Sequence, residues 1–454
     1  MEKIYLKPTK KGFLDLFSKR DSDLVSNYDL DVILRHEFGI IRGHILNAAK
    51  FGIWSFHHGD NAINRGGPPA FWEIVLNQSV VGVTLQQLTP EIDGGRVIDK
   101  AFFNTHWSFV KLKRMVLESS VSVLFKNLEK LRSGNYNYEK SIVYYNPLYT
   151  LPNLNVVFFY LFKFYSKLLN KIIQFLSHKF FGKRYNCWTL FIGKGDFLES
   201  TLFRLKPLRL PKNEFWADPF LLNYKEKNYI FFENFNYNSK KGKISCGLIE
   251  NNNLINIQDV LLKDYHLSFP FIFKEDGEIY LMPESKANNR LELYKCKKFP
   301  NEWELHSTAF EGEQVADAFF YDDKNNQKWL FVNKQIDKNS IIDNELFIYA
   351  VDSLDLNKLI PHKNNPVIIN SASARNAGGI FHYNNKIYRP SQGNIDGIYG
   401  KCLNINKIEK LNINEYKETK ITTVYPNFHD GLISTHHLSQ KDGLFVIDAA
   451  FKKL

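Results

Sequence analysis

The sequence predicts a multidomain chain in which an α/β unit comes first and an all-β region of repeated small sheets follows. Three observations support this prediction. Residues 1–135 alternate apolar, strand-like runs with helical patterns, which is typical of an α/β sheet. Residues 187–454 contain short apolar strands separated by turns rich in Asn, Asp, Gly and Lys. Residues 136–186 lie between them as a linker with one amphipathic helix.

Composition restricts the classes of function. Of the 454 residues, 44% are hydrophobic and 15% aromatic, which predicts folded domains. The net charge is +11, but the lysines are scattered and form no basic arm, so we expect no nucleic-acid partner. The four cysteines do not have the spacing of a zinc site. Because the N-terminus also lacks an apolar signal core, we expect reduced thiols, no metal and a cytoplasmic protein.

Three strands and a helix are predicted in the α/β unit. The strands are YDLDVILRHE at 28–37, FGIWSFHH at 51–58 and SVVGVTLQQL at 79–88. A closing helix is predicted to begin after His106 and to end near Gly134. The alternation of strands with helices favours a sheet that contains parallel strands.

A histidine and an aspartate follow two of these strands. His57 ends the second strand, and Asp93 begins an Asp-Gly-Gly turn after the third. Open α/β sheets bind ligands at such strand ends. A carboxylate that accepts a proton from an attacking amine, and an imidazole that donates to an oxyanion, would suit acyl transfer. A solvated histidine and an ordinary tight turn are the alternative interpretation.

The segment from 51 to 98 resembles the formyltransferase domain of methionyl-tRNA formyltransferases and sugar N-formyltransferases, and the similarity extends over roughly residues 30 to 132. The residues that match the family pattern, in order, are His57, then Arg65, Gly66 and Pro69 in a loop, Trp72 on a helix, Gly82, Val83 and Thr84 on a strand, and Asp93 and Gly95 in a turn. The resemblance implies His57 and Asp93 as catalytic residues, 10-formyltetrahydrofolate as the donor, and an amino sugar or sugar nucleotide as the acceptor in polysaccharide biosynthesis.

The chain departs from the formyltransferase pattern in two ways. Ser55 stands where the family has a catalytic Asn, so its hydroxyl is the remaining candidate donor, and Gln86 replaces a second His. Only about 28 residues precede the first predicted strand, where the family has several strand–helix units. The domain is then degenerate, lacks residues upstream, or has an exposed sheet edge through which an oligomer forms.

Five similar segments recur after residue 187, and each consists of an apolar strand, a polar turn and a second apolar strand. The anchors Phe220, Phe271, Phe319 and Ile380 are 51, 48 and 61 residues apart. Recurrent small antiparallel sheets predict a five-bladed β-propeller. The segment at 187–195 is expected to pair with the one at 443–451 and to close the ring. A β-sandwich is the alternative.

Acidic residues recur at equivalent places in these segments. Asp218 and Asp317 lie on first strands, Glu233 and Glu284 end second strands, and His436 lies in the last blade. Paired carboxylates across a channel are the groups that glycoside hydrolysis needs. In the alternative interpretation the acids cap turns or pair with arginines inside the ring, namely Arg375 and Arg389.

The phrase Ala-Asp-Pro-Phe around Asp218 resembles the propellers of arabinanase- and xylosidase-type glycoside hydrolases. The whole region is more similar to the N-terminal domain of glucosamine inositolphosphorylceramide transferases. These resemblances imply a carbohydrate ligand. The leading hypothesis is formyl transfer to an amino sugar, with a propeller that binds glycan. The alternatives are a formyltransferase remnant with a glycan-binding propeller, and a propeller that catalyses glycoside hydrolysis or glycosyl transfer.

The linker contains the most apolar stretch of the chain, residues 156–175. Lys163, Lys167 and Lys171 recur within it every four residues, which predicts a basic stripe on an apolar helix. Such a helix is too interrupted to span a bilayer but suits peripheral contact with a membrane surface. A helix packed between two domains is the alternative.

Overall fold

The computed structural model describes residues 3–90, 95–134, 136, 148–335 and 342–453. They form two compact units, Met1–Leu161 and Phe162–Leu454. The division falls within a long helix, Leu154–Phe181, which is the amphipathic helix that the linker predicts. None of the helices formed by these residues is long and apolar enough to cross a membrane.

The first unit combines short strands with helices. In chain order its elements are β1 (Thr9–Lys11), β2 (Leu14–Leu16), α1 (Lys19–Ser26), β3 (Ile33–Arg35), β4 (Ile40–Arg42), a 3-10 turn (His44–Asn47), β5 (Ile53–His57), β6 (Arg65–Gly66), α2 (Phe71–Val75), β7 (Val80–Gln87), β8 (Arg96–Asn104), α3 (Phe109–Arg132), β9 (Leu148–Tyr149) and α4 (Leu154–Phe181).

The main sheet of this unit has the order β3-β5-β7-β8. Only β3 and β5 are parallel, whereas β5 with β7 and β7 with β8 are antiparallel, so the predicted α/β sheet is mixed. The strands expected at 51–58 and 79–88 and the closing helix are confirmed. The strand expected at 28–37 pairs only over Ile33–Arg35, because β5 is its one neighbour among the described residues and water satisfies the other side.

The second unit is a propeller of five antiparallel sheets. Blade one consists of β11 (Glu214–Tyr224), β12 (Lys227–Asn236), β13 (Lys241–Glu250) and β14 (Asn253–Leu261), and blade two of β15 (Ser268–Glu275), β16 (Glu278–Glu284), β17 (Leu291–Lys298) and β18 (Glu302–Ala309). Blade three consists of β19 (Val315–Asp322), β20 (Lys328–Lys334), β21 (Glu345–Val351), β22 (Leu359–Pro361) and β23 (Ile368–Ile369), and blade four of β24 (Phe381–Tyr383), β25 (Lys386–Ile395), β26 (Ile398–Leu411) and β27 (Tyr416–Val424). Blade five combines β10 (Tyr185–Lys194), from the start of the unit, with β28 (Leu432–Ser434), β29 (Leu438–Lys441) and β30 (Leu444–Lys453). Short 3-10 turns lie at Phe197–Glu199, Leu202–Arg204, Lys286–Asn288 and Ile342–Asn344.

The ring closes as the sequence predicts. β10 is antiparallel to β30, with Trp188 opposite Ala450 and Leu190 opposite Asp448, so the fifth blade takes strands from both ends of the propeller. This pairing satisfies backbone groups that would otherwise form an open edge.

Aromatic side chains fill the space between blades. The predicted anchors Phe220 and Phe319 are 4% and 0% exposed and belong to one cluster that draws on blades one to four. Phe220 of blade one meets Phe269 of blade two edge to face, with ring centroids 4.9 Å apart. Each buried phenylalanine contributes roughly 1.5–3 kcal/mol relative to an exposed one, so the recurring apolar positions stabilise every blade against the next.

Candidate functional site

The first strands of blades one to three share an irregularity where they approach the ring axis. Their pairing with the second strand is interrupted after Ala217, after Ser268 and after Ala316, in each case for two residues. The first residue of each interruption has left-handed backbone, at φ 52° in Asp218, 42° in Phe269 and 48° in Asp317. Non-glycine residues pay a steric penalty there, and such strain concentrates at ligand sites. The repeat thus turns two aspartates toward the axis.

Asp218 is almost completely buried among polar groups. Its Oδ2 accepts a hydrogen bond of 3.2 Å from the Phe269 backbone N–H, and its Oδ1 lies 3.5 Å from His437 Nδ1 and 3.7 Å from His436 Nε2. Burial favours the protonated acid, but the contact with His437 and the charge of His436 outweigh it and lower the pKa of Asp218. Asp218 is therefore an ionised carboxylate.

Arg375 reaches the axis from the segment that precedes β24. Its Nε donates to Asp317 Oδ2 over 2.6 Å, its Nη2 lies 3.3 Å from Glu284 Oε2, and its Nη1 donates to Asp343. Burial disfavours the charge, but these carboxylates outweigh it and raise the pKa of Arg375 well above its usual range. One fixed cation thus ties together blades two, three and four.

Glu233 has no such cation. Its neighbour is His266, whose Nε2 lies 3.5 Å from Oε1, and burial lowers the pKa of that histidine. Burial and the nearby charges of Asp218 and Glu284 raise the pKa of Glu233 well above its usual range. Since Glu233 pairs across the strands with Ala217, it stands beside Asp218. The surroundings thus favour the protonated form of Glu233 and the ionised form of Asp218.

The fifth blade contributes a histidine held by a buried aspartate. Asp448 accepts from the backbone N–H groups of Asp218, His436 and His437, at 2.9 to 3.1 Å. His436 Nδ1 lies 2.8 Å from Asp448 Oδ2, and its ring stacks on Trp188 at 3.9 Å between centroids. Burial opposes the charge, but Asp448 and Asp218 outweigh it and raise the pKa of His436.

Asp218, His436 and Asp448 each place one ligand atom within 4.8 Å of the others, so their composition suits a metal ion. The oxygens of Asp448 already accept four hydrogen bonds from protein groups, including that of His436. A cation would compete with those donors. The described hydrogen bonds give Asp218, His436 and Asp448 a structural role, because they connect blade five to blade one.

The axial cluster, which we define as Asp218, Glu233, Glu284, Asp317, Asp343, Arg375, His436 and Asp448, opens at one rim. Tyr399 is 43% exposed, while Arg375 lies over its ring at 5.2 Å and His436 meets the ring edge-on at 5.5 Å. The side chain of His266 is 37% exposed. An aromatic face and a histidine thus border the buried charges on the solvent side.

Two buried residues that border the axial cluster, Gln392 and His437, have polar atoms without a hydrogen-bond partner among the described residues. Gln392 donates to Asp317 over 3.3 Å, but its Oε1 is buried without a donor. His437 is fully buried, and its Nε2 likewise lacks a partner. Buried polar atoms are normally satisfied, so a ligand with hydroxyl or amino groups would complete both.

The first unit brings together several residues that resemble formyltransferase positions. His57, Arg65, Gly66 and Pro69 line one cavity, together with a buried glutamate, Glu73. The cavity holds about 10 Å³, the space of about one water molecule. His57 Nε2 lies 2.9 Å from the carbonyl oxygen of Asn64, so this nitrogen already has a hydrogen-bond partner within the protein. The described cavity has no room for 10-formyltetrahydrofolate, and the binding of that donor stays a prediction of the family resemblance.

The other residues expected in this catalytic site lie elsewhere. The hydroxyl of Ser55 accepts from Arg35 Nη1 at 2.9 Å and does not line the cavity. Gly95 packs on Gln86 and Gln87 at the end of β7, where an added Cβ would meet the Gln87 carbonyl at 2.9 Å. Asp93 lies outside the described residues, so its convergence with His57 stays a prediction.

In the propeller, the structure brings Asp218, Glu233, Glu284, Asp317 and His436 into one cluster, as the sequence suggested. The alternative interpretation also holds in part, because Arg375 pairs with Asp317 and Glu284, and Arg389 pairs with Glu418 at 2.6 Å. The residues that sequence reasoning did not assign to the site are Asp343, Gln392, Tyr399, His437 and Asp448. The signal for Asp448 was a lone acid inside the apolar strand FVIDAA.

Fold and cluster define a class of protein: a five-bladed propeller with a charged, carboxylate-rich axis. Residues 207–437, just over half of the chain, match the family described as glucosamine inositolphosphorylceramide transferase 1, N-terminal. The chain belongs to this family.

Relatives include the rice (Oryza sativa subsp. japonica) glucosamine inositolphosphorylceramide transferase 1, 34% identical over 219 residues, and the Arabidopsis thaliana protein of that name, 33% identical over 216 residues. The matches cover 46% and 47% of this chain but 28% of each relative. Among solved structures, a thermostable family-43 glycoside hydrolase aligns with 54% of this chain and 90% of its own, at 13% identity and a TM-score of 0.39. A sugar 3N-formyltransferase aligns with 25% of this chain and 43% of its own, at 22% identity and a TM-score of 0.22.

Proposed function

We propose that the propeller binds a carbohydrate that carries an amino group, at the axial cluster and the rim formed by Tyr399. The observation that carries the proposal is that Tyr399 is 43% exposed while its ring contacts Arg375 and His436 of the axial cluster. Sugar rings stack their apolar face on aromatic side chains, while their polar groups bond to charged side chains.

The charge balance favours a cationic sugar. Six carboxyl groups face two cationic side chains, Arg375 and His436, within the axial cluster. Among the described ion pairs of the cluster, Glu233, Asp218 and Asp448 have histidine partners instead of Arg or Lys. The partner of Glu233, His266, has a lowered pKa and so favours its neutral form. An ammonium group near Glu233 would relieve the repulsion that raises the pKa of that acid, so its binding would release a proton. A neutral sugar would gain only hydrogen bonds.

The names of the relatives agree with this substrate class, since they contain glucosamine, an amino sugar. Because the matched region is 28% of those proteins, their transferase activity is no more than a guide here. The same names include inositolphosphorylceramide, a lipid, and a glycan carried by such a lipid is the wider ligand class that we propose.

Titration calorimetry of the full chain with glucosamine, N-acetylglucosamine and glucose tests the proposal. Glucosamine should bind more tightly than the two neutral sugars by about tenfold, the worth of one charge-assisted hydrogen bond of about 1.5 kcal/mol. Tyr399→Ala should weaken all three by about threefold to tenfold, because a stacked ring contributes ~0.5–1.5 kcal/mol. Equal affinities for charged and neutral sugars would refute recognition of the amino group, whereas the proposal that the propeller binds glycan would remain.

A matched variant separates the site from general surface effects. Tyr425 is 50% exposed at a position after β27 and has no contact with the axial cluster in the described structure. Tyr425→Ala should leave binding unchanged. If Tyr399→Ala and Tyr425→Ala behave alike, the rim of the axial cluster is not the sugar site.

A second function is favoured by one observation, the opposite pKa shifts of neighbouring Glu233 and Asp218. A carboxyl that stays protonated beside one that stays ionised is the pairing used in glycosidic bond chemistry, with Glu233 as general acid. Assays with aryl glycosides of amino sugars should show turnover that Glu233→Gln lowers at least about 100-fold. Binding without turnover would identify the propeller as a lectin-like module.

We propose that the first unit does not transfer formyl groups and is the remnant envisaged as an alternative from the sequence. The supporting observation is the cavity of about 10 Å³ at His57. Formyl transfer with 10-formyltetrahydrofolate stays a prediction of the family resemblance. A folate-binding measurement, given in the Discussion, decides between the two.

A further inference from the structure

Helix α4 presents large apolar side chains to solvent along its whole length. It has 28 residues, and none of them is buried. At 1.5 Å per residue it is about 40 Å long. Its exposed apolar residues are Leu154, Phe158, Phe159, Phe162, Tyr165, Leu168, Leu169, Ile172, Ile173, Phe175, Leu176, Phe180 and Phe181. A surface of this size on a folded protein marks an interaction site.

Most polar residues of α4 lie on one face, whereas Lys179 in the last turn lies on the apolar side. At about 100° per residue, Lys163, Lys167 and Lys171 form a stripe with Gln174. Tyr165, Leu168, Leu169, Ile172 and Leu176 lie on the opposite face. The helix is thus amphipathic with a wide apolar side and a narrow basic side. Lysines at this spacing exclude a spanning orientation and suit a helix parallel to a bilayer surface.

The charges in and around α4 indicate which kind of surface binds its apolar side. No Asp or Glu occurs between Glu139 and Asp196, whereas that interval contains eight basic residues. Lys179 in the last turn, and Lys183 and Arg184 after the end of the helix, add further positive charge. A protein groove would need acidic groups to match this pattern, but an anionic lipid surface supplies both the phosphates and an apolar layer.

Near the start of α4, Tyr160 contacts other residues of the first unit. The backbone N–H of Phe109 donates to the hydroxyl of Tyr160 over 3.1 Å, and the ring of Tyr160 lies 5.6 Å from that of Phe71. The exposed apolar residues from Phe162 onward follow Tyr160 along the chain.

We propose that α4 binds the surface of an anionic membrane, with its apolar face among the acyl chains and its lysine stripe at the lipid phosphates. This inference does not depend on the sugar site or on the first unit. It adds a place of action, the membrane surface, to a protein whose proposed ligand is a glycan.

Co-sedimentation of the full chain with phosphatidylcholine vesicles, with and without phosphatidylserine, tests the proposal. Binding should require phosphatidylserine and weaken as salt is raised. The triple variant Lys163→Gln, Lys167→Gln and Lys171→Gln should lower the partition coefficient by about 100-fold, about fivefold per lysine. The variant Leu169→Ser with Ile173→Ser should also abolish binding, since it removes two exposed apolar side chains.

The matched control is the triple variant Lys212→Gln, Lys240→Gln and Lys441→Gln, which changes the net charge equally at exposed positions of the propeller. It should bind vesicles like the unchanged protein. Thermal unfolding verifies that each variant folds. Equal loss in both triple variants, or no binding to phosphatidylserine vesicles, would overturn the proposal. So would a dimer that Leu169→Ser with Ile173→Ser dissociates, because a second copy would then cover the helix.

Discussion

Arg375 Nε donates a 2.6 Å hydrogen bond to Asp317 Oδ2, and both side chains are more than nine-tenths buried. The pair joins blade four to blade three at the ring axis. It fixes the direction of the guanidinium, whose other nitrogens reach Glu284 and Asp343. A single arginine therefore sets the geometry of three acids of the axial cluster, Asp317, Glu284 and Asp343.

Removal of this arginine should destabilise the propeller strongly. In Arg375→Met, Asp317 and Glu284 lose their cation while they stay buried, and we expect a loss of about 3–5 kcal/mol in the free energy of unfolding. Urea unfolding followed by tryptophan fluorescence measures it. Lys297→Met breaks an exposed ion pair with Glu304 and should have no measurable effect. A stable Arg375→Met protein would show that the ion pairs do not hold the blades together.

Glu233 should make the protein less stable as pH rises. Its pKa in the folded state lies well above the ordinary value of 4.5, so the folded state holds its proton longer than the unfolded state. The contribution of Glu233 to stability is then full below pH 4.5 and declines, by up to about 1.4 kcal/mol per pH unit, until pH reaches the folded pKa.

Glu233→Gln carries no charge and should remove this decline. The measurement is the difference in unfolding free energy between Glu233→Gln and the unchanged protein from pH 4.5 to pH 8, which should grow with pH. Glu304→Gln, at an exposed acid, is the control. A difference independent of pH would mean that Glu233 titrates normally.

Folate should not bind the first unit. We expect 5-formyltetrahydrofolate to leave the melting temperature unchanged, because a ligand that binds only the folded state raises it and the cavity at His57 has room for about one water. Differential scanning fluorimetry over a range of folate concentrations tests this. A concentration-dependent rise that His57→Ala abolishes would favour the formyltransferase hypothesis instead.

Gly378 should tolerate no side chain. Its φ is +122°, and a Cβ would lie 2.0 Å from the carbonyl oxygen of Leu438, where blade four meets blade five. We expect Gly378→Ala to cost about 3 kcal/mol or more. Gly277 has φ +79° with open space around it, so Gly277→Ala should cost only ~1–2 kcal/mol of backbone strain. If urea unfolding shows that the two variants lose similar amounts of unfolding free energy, the backbone where blade four meets blade five must shift easily to accommodate the added methyl group.

Much of the fold could be predicted because its signals are local. A strand alternates with period two and ends at turn residues, so segments such as the one around Phe220 identify a blade without knowledge of the rest. The strand at 28–37 was overpredicted, because edge position and not propensity decides how much of an apolar run pairs. The placement of His57 at a strand end was likewise local and correct, whereas the hydrogen-bond partner of its Nε2 depends on the fold of the loop to Asn64.

The sequence by itself determined the number of blades, the strands that close the ring, and the amphipathic helix α4, since each follows from residue spacing. Only the tertiary structure decided which charges meet. Arg375 is 58 positions from Asp317 and 91 from Glu284, and ring closure alone brings them within hydrogen-bonding distance. Burial then decides which carboxyl holds a proton, because the energy of a charge depends on the dielectric surroundings and neighbours that folding assembles.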